Sequence, residues 1–344
     1  MKKIITILFV FINLLAFSQQ ADSPVTHMEF LTNREQELSK SYLSYMSEVA
    51  HGNRARKMEK KRQELINQIR GSLGDAAKLR PYKGDASLRD AYKNYWDILY
   101  KLFNEDYHKI VDMEAIAEES YDAMEAYLLA QERAGLVLEE AHDKIIPVYE
   151  SFAANHNVQL VEGDDSRMNK KLRQVARVNK YYHTMFLIFF KNFKQEAYMW
   201  DAYNKKDING FEQNRNSLLR ISDEGLAMLD TMKTFNNDRT LVSACQKLIT
   251  FHKQEATDLT AGLTDLLIRE DEFNKIKKAF DAKPQTKRTE ADVNNYNQAV
   301  KEMNDAALNA NKNLTLCNEG SAKTLSYWEN ARRKFMETHV PKSK

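Results

Sequence analysis

Glycine and proline are scarce, ten and five residues in a chain of 344. With so few breakers, few Val and Ile relative to Leu, Met, Ala, Glu and Lys, and no segment that alternates polar and apolar, a sheet-built fold is excluded and an all-α chain is expected. There are only two cysteines, Cys245 and Cys317, so at most one bridge can form. Export would place them in an oxidising compartment, but pairing depends on geometry, and two buried thiols are the alternative. An excess of one charge is also missing. The chain carries 51 basic and 49 acidic residues, and removal of Lys2 and Lys3 with a leader leaves 49 against 49. Without a sustained positive field, a general nucleic-acid or anionic-membrane binder is excluded. Beyond the leader the longest apolar run is Met185 to Phe190, set between Lys180 and Lys191, which suits a buried helix and is too short to span a membrane. No Gly-rich phosphate loop, Gly-x-Ser-x-Gly elbow, His-Glu-x-x-His or paired Cys motif occurs, which argues against an enzyme and implies no cofactor.

What is present begins with a leader. Lys2 and Lys3 precede an apolar run from Ile4 to Phe17, and the small residues Ala16 and Ser18 precede Gln19. This pattern predicts a signal peptide over 1–18, cleaved near Ser18, and a periplasmic, cell-surface or secreted chain.

The rest is organised by a repeat. The stretch from Tyr45 to Ala91 returns 153 positions later, without a gap, from Tyr198 to Ala244. Glu59 falls on Glu212, Arg62 on Arg215, Leu65 on Leu218, Asp85 on Asp238 and Leu88 on Leu241, with Tyr82 and Phe235 matched in character. A constant offset that keeps helical spacing and both turns is the mark of a duplicated unit. The expected architecture is two tandem four-helix units, 19–156 and 166–344, joined by a polar linker over 157–165. In the first, helices are expected from His27, over Arg54 to Arg80, and from Asp85 as N-cap. A break between Asp106 and Glu114 is expected, because an unbroken helix to Asn155 would be about 105 Å long. The fourth helix then carries a kink at Pro147. In the second, helices are expected over Ser166 to Lys205, Asp207 to Asn236, Asp238 to Ala282 and Glu290 to Thr338.

Three constellations bear on chemistry. Glu-x-x-His occurs as Glu48 with His51, Glu105 with His108, and Glu139 with His142. On a helix this spacing puts both side chains on one face, and in ferritin-like bundles it supplies half of a di-metal carboxylate site. Only His142, one turn from Leu138 and Ile145, is expected to face a core, so Glu139 and His142 are the candidate metal ligands of an alternative reading. The basic residues Arg54, Arg56, Lys57, Lys60, Lys61 and Arg62 could hold an acidic ligand, but the interleaved Glu59 and Glu64 favour a solvated face with i,i+3 pairing. The aromatic run Tyr92, Tyr95, Trp96, Tyr100, Phe103 and Tyr107, with a denser one from Tyr181 to Trp200, suits core packing better than a ligand cleft.

The segments HGNRARKMEKKR (51–62) and DMEAIAEESYDAMEAY (112–127) resemble an uncharacterised family of secreted or surface-exposed helical proteins of Bacteroidetes and spirochaetes. The resemblance covers roughly 30–156. It implies a helical fold and an envelope location, and brings no catalytic residue with it. The expectation is therefore a helical binding or scaffold protein, non-catalytic, whose partner is a protein or a small-molecule ligand, with the cleft between units as the place to look for it. The alternative is a metal-binding bundle.

Overall fold

A computed structural model of the chain describes residues 6–7, 23–50, 55–107, 113, 116–160, 162–163 and 167–341. The leader's cleavage point, His51 and His108 lie outside the described residues. The fold is all-α. The extended pairing among the described residues is limited to a two-residue antiparallel ladder, β1 (Thr6–Ile7) with β2 (Glu162–Gly163), and two isolated bridges. Two compact units are formed, Met1–His183 with Met336–Lys344, and Thr184–Phe335. The sequence reading sets the boundary at 157–165 instead.

In the first unit, α1 spans Pro24–Ala50, three residues earlier than expected. Ser23 explains the start, because its Oγ accepts from Thr26 N at 3.0 Å, a capping bond, and Pro24 suits the first helical position. Helix α2 spans Ala55–Lys78 and α3 spans Ser87–Lys101. Between them Tyr82 and Asp85 exchange backbone bonds of 3.0 and 2.9 Å around Lys83 and Gly84, both at positive φ. Asp85 is thus a turn residue and not the helix cap. Its Oδ1 accepts from Ser87 N and its Oδ2 meets His156 Nε2 at 2.9 Å. Helix α3 continues into a π-helical segment, Leu102–Asp106.

Helix α4 spans Tyr121–Asp143, capped by Ser120, and α5 spans Ile145–Asn155. The expected single kinked helix is two helices. Pro147 lacks an N–H, and its ring would collide with the carbonyl of residue 143 in a continuous helix, so the chain breaks at Lys144 and Pro147 sits in the first turn of α5. Met28, Leu31, Ile69, Trp96, Phe103 and Phe152 form the centre of this unit's core. Burying each large apolar side chain contributes about 1.5–3 kcal/mol.

Helix α6 spans Arg167–Asn204, α7 Ile208–Thr231, α8 Thr240–Gln254, α9 Ala261–Ala282 and α10 Glu290–His339. A π-helical segment, Glu255–Leu259, follows α8, so the expected helix from Asp238 to Ala282 is interrupted. Helix α7 ends five residues before the expected Asn236. There the chain turns extended to bury Phe235, and Asn236 and Asn237 take positive φ in a bridge between Phe235 and Asp238. The second unit's core holds Met199, Phe211, Leu218, Leu263 and Ala310, and Phe189 stacks on Trp328 with ring centroids 4.4 Å apart. The ranges of α7, α8 and this π segment repeat those of α2, α3 and Leu102–Asp106 at an offset of 153, as do the two bridges.

Candidate functional site

A π-helical turn adds one residue to the helical circuit, which shifts the side chains that follow and frees backbone groups from the regular ladder; such bulges are frequent at functional sites. In the second unit this turn begins with Glu255. Thr260 closes it, donating to Glu255 O from its backbone N at 3.0 Å and from its Oγ1 at 2.8 Å. The consequence is a glutamate with no exposed surface at all, set among helices.

Three helices surround it with side chains. Helix α6 supplies Glu196 and Trp200, α8 supplies His252, and α10 supplies Cys317 and Ser321. Ser321 Oγ donates to Glu196 Oε1 at 2.8 Å, and His252 Nε2 lies 3.5 Å from Glu196 Oε2. Glu196, His252 and Cys317 are all buried. Neither carboxyl oxygen of Glu255 has a hydrogen-bond partner, nor has His252 Nδ1. The Trp200 and Cys317 side chains approach Glu255 closely enough to favour its anion, without reaching hydrogen-bond geometry. Beside this cluster is a cavity of about 320 Å³ whose lining includes Glu196, Trp200, Cys317, Asn318, Ser321 and Leu325.

The electrostatics follow from burial. Desolvation, with the charge of Glu196 adding to it, pushes the Glu255 carboxyl up to about 8. Burial raises Glu196 as well, and its bond from Ser321 and the nearby Trp200 side chain offset part of that rise. Desolvation drives His252 down to about 3, so near neutral pH its contact with Glu196 joins a neutral imidazole to a carboxyl and is not an ion pair. The Cys317 thiol, buried and beside Glu255, is pushed up to about 12. A thiol so disfavoured as thiolate is no nucleophile. Cys245 and Cys317 are free and buried, so of the two alternatives the structure has the thiols.

The arrangement can hold a proton or a positive charge. No Lys or Arg lines the cavity, and among the described residues no three of His, Cys, Asp and Glu converge as a metal would require. The first unit has leucines at the matching places: Leu43, Leu99 and Leu102 stand where Glu196, His252 and Glu255 stand at the 153-residue offset, and all three are buried.

The residues singled out from sequence fall elsewhere. Glu139 and His142 are on α4, where His142 Nε2 meets Glu35 Oε1 at 2.9 Å. Glu35 Oε2 accepts from Tyr92 Oη at 3.0 Å, so His142 ties α4 to the first unit's own helices. In the basic cluster, Lys57 pairs with Glu48, Lys61 with Glu64 and Arg62 with Glu59. Tyr92, Trp96, Phe103 and Tyr107 are core residues. Sequence reasoning passed over Glu196, His252, Glu255 and Ser321 and took Cys317 only as a bridge partner or buried thiol; the five are spread over 125 positions. For Glu196, His252 and Glu255 the signal lay just outside the repeated stretch, where at the same offset leucines stand in the first unit; Cys317 and Ser321 carried none. The chain matches no protein-family profile, no curated protein and no solved structure.

Proposed function

We propose that this chain is an exported, non-catalytic binding protein, and that its second unit receives a small ligand in the cavity lined by Glu196 and Trp200. One observation carries the reading: Glu255 is a fully buried carboxyl whose oxygens make no hydrogen bond, and its neighbours Glu196, Trp200 and Cys317 line a cavity large enough for a small molecule. A buried polar group without a partner costs about 1–3 kcal/mol. A scaffold gains nothing from it, whereas a pocket that pairs it on binding does. The protonated Cys317 and neutral His252 speak against nucleophilic catalysis. Export is supported by the composition of residues 1–18, and no described helix is long and apolar enough to cross a membrane. An ancestral duplication is supported by the recurrence of helix limits, bridges and π segments at one offset. In this view the first copy kept an apolar core and the second was converted into a site.

The test is ligand-observed NMR with a fragment set of small cations, anions, sugars and alcohols, run on the chain and on an Ala322→Trp variant that fills the cavity. Ala322 lines the cavity, so its enlargement should displace whatever binds there. One fragment class is expected to bind the chain and to be lost in the variant. A set in which nothing distinguishes the two proteins overturns the reading, and chemical turnover of a bound fragment overturns its non-catalytic part.

A further inference from the structure

We infer that the ligand of this cavity presents a primary ammonium group, which Glu196 receives and which draws the proton off Glu255 as it binds. The inference rests on the binding reading above and names the ligand's chemistry.

Charge selects the class. The lining offers the carboxyl of Glu196, the hydroxyl of Ser321 and the neutral amide of Asn318, with no cationic side chain, so a carboxylate or phosphate would enter against Glu196 with no positive charge to neutralise it. Coordination number then decides between a metal ion and an ammonium. Among the described residues no three of His, Cys, Asp and Glu converge on one point, whereas an ammonium needs hydrogen-bond acceptors and not a closed coordination shell. The acceptors are present: Glu196 Oε2 lies 3.5 Å from His252 Nε2, and Glu255, buried beside Cys317 and Trp200, has both oxygens without a hydrogen bond. This second, unpartnered carboxyl separates the place from an acidic cluster satisfied by its own hydrogen bonds.

Proton balance follows from the same geometry. Two carboxyls close enough to repel one another cannot both ionise in apolar surroundings, so near neutral pH one of them keeps its proton. An ammonium placed against Glu196 removes that repulsion. The complex then holds the cation and two carboxylates, and one proton passes from Glu255 to solvent. No bond other than that O–H breaks. His252 remains neutral, because burial opposes a further positive charge.

The experiment uses the full chain at pH 7 with n-butylammonium, the neutral alcohol 1-pentanol, one methylene longer, tetramethylammonium and zinc chloride, followed by calorimetry and by direct proton release in lightly buffered solution. Butylammonium is expected to bind with release of close to one proton. Its affinity should fall about tenfold or more in Glu196→Gln and in Glu255→Gln, with proton release abolished in the latter. Should Glu255→Gln unfold, Glu255→Leu serves as the second variant, since leucine fills the matching place in the first unit. Pentanol binding as tightly as the amine, or zinc in its place, overturns the ammonium assignment and leaves a binding site standing. Equal amine affinity in the wild type and both glutamine variants also overturns it. If none of the four probes binds, the assignment falls, and if no fragment of any class binds either, the binding reading falls with it.

Discussion

Glu255 occupies in the second unit the place that Leu102 occupies in the first: each is the first residue of a five-residue π-helical segment, and each is buried. The backbone is therefore compatible with either side chain, and the difference in energy lies in desolvation. Replacing a buried, unpaired carboxyl by leucine of similar volume should stabilise the second unit by about 1–3 kcal/mol. Urea unfolding of Glu255→Leu checks this. A lowered midpoint would mean that the carboxyl has a structural partner after all.

A pH dependence follows from two opposed shifts. Glu255 is raised from 4.5 to about 8, so its contribution to stability is complete below 4.5 and is lost as pH rises to about 8. His252 is lowered from 6.5 to about 3, so its contribution is complete above 6.5 and is lost as pH falls towards 3. Between 4.5 and 6.5 the two slopes oppose each other; above 6.5 the His252 contribution is flat, and the loss from His142, raised by its bond to Glu35, is common to the wild type and a Glu255 variant, so their difference from 6.5 to 8 reads the Glu255 site. Across that window the wild type should lose stability, on the order of 1–2 kcal/mol, relative to Glu255→Gln. Thermal unfolding of both proteins at half-unit steps of pH reads the difference, and parallel curves would remove Glu255 from the account.

Arg62 is nearly buried and donates to Phe103 O at 2.5 Å, inside the first π segment, while Glu59 holds its Nε and Nη2 at 2.8 and 2.7 Å. It thus gives a carbonyl of the π turn a side-chain donor. Lysine carries its donors on one nitrogen and cannot reproduce the two-nitrogen pairing with Glu59 alongside the bond to this carbonyl. Arg62→Lys should destabilise the first unit by about 1–3 kcal/mol. Arg215→Lys should cost less, because in the second unit Thr260 satisfies the π turn and Arg215 is more exposed. Chemical denaturation of the two variants in parallel makes the comparison. Equal losses would show that the arginines act only through Glu59 and Glu212.

These features differ in how openly the sequence declares them. Helices were legible because apolar residues recur at three and four, and the repeat because Glu59, Arg62, Asp85 and Leu88 return at one spacing. The tight turn between α7 and α8 was half legible: Asn236 and Asn237 announce positive φ, yet Met232 to Phe235 reads as helix until Phe235 is seen buried by leaving it. The π segments carry no local signal, since inserting one residue keeps composition and near-helical spacing. Glu255 was hidden for that reason, and Glu196, Cys317 and Ser321 because helix packing and not sequence proximity unites them. His142 shows the converse: a motif with correct spacing, whose nitrogen is taken by Glu35, a residue more than a hundred positions away in the chain.

Two glycines with the same local role predict opposite signs. Gly74 lies within α2, and nothing stands within 4 Å of where a Cβ would be. Alanine there meets open space and gains helix propensity, so Gly74→Ala should stabilise the first unit by about 0.5–1 kcal/mol. Gly225 lies within α7, where a Cβ would come to 2.9 Å from Ile249 Cδ1 and 3.1 Å from Asn192 Nδ2. Both neighbours are buried, and Asn192 accepts from Ser222 Oγ at 2.9 Å, so the amide cannot retreat without losing that bond. The crowding and the weakened hydrogen bond outweigh the propensity gain, and Gly225→Ala should destabilise the second unit by about 1–3 kcal/mol. Urea midpoints of the two variants settle the signs. A stabilising Gly225→Ala would mean that α7 and α8 can separate where they are closely packed, and that the second unit's interior, Glu255 included, is more yielding than its burial implies.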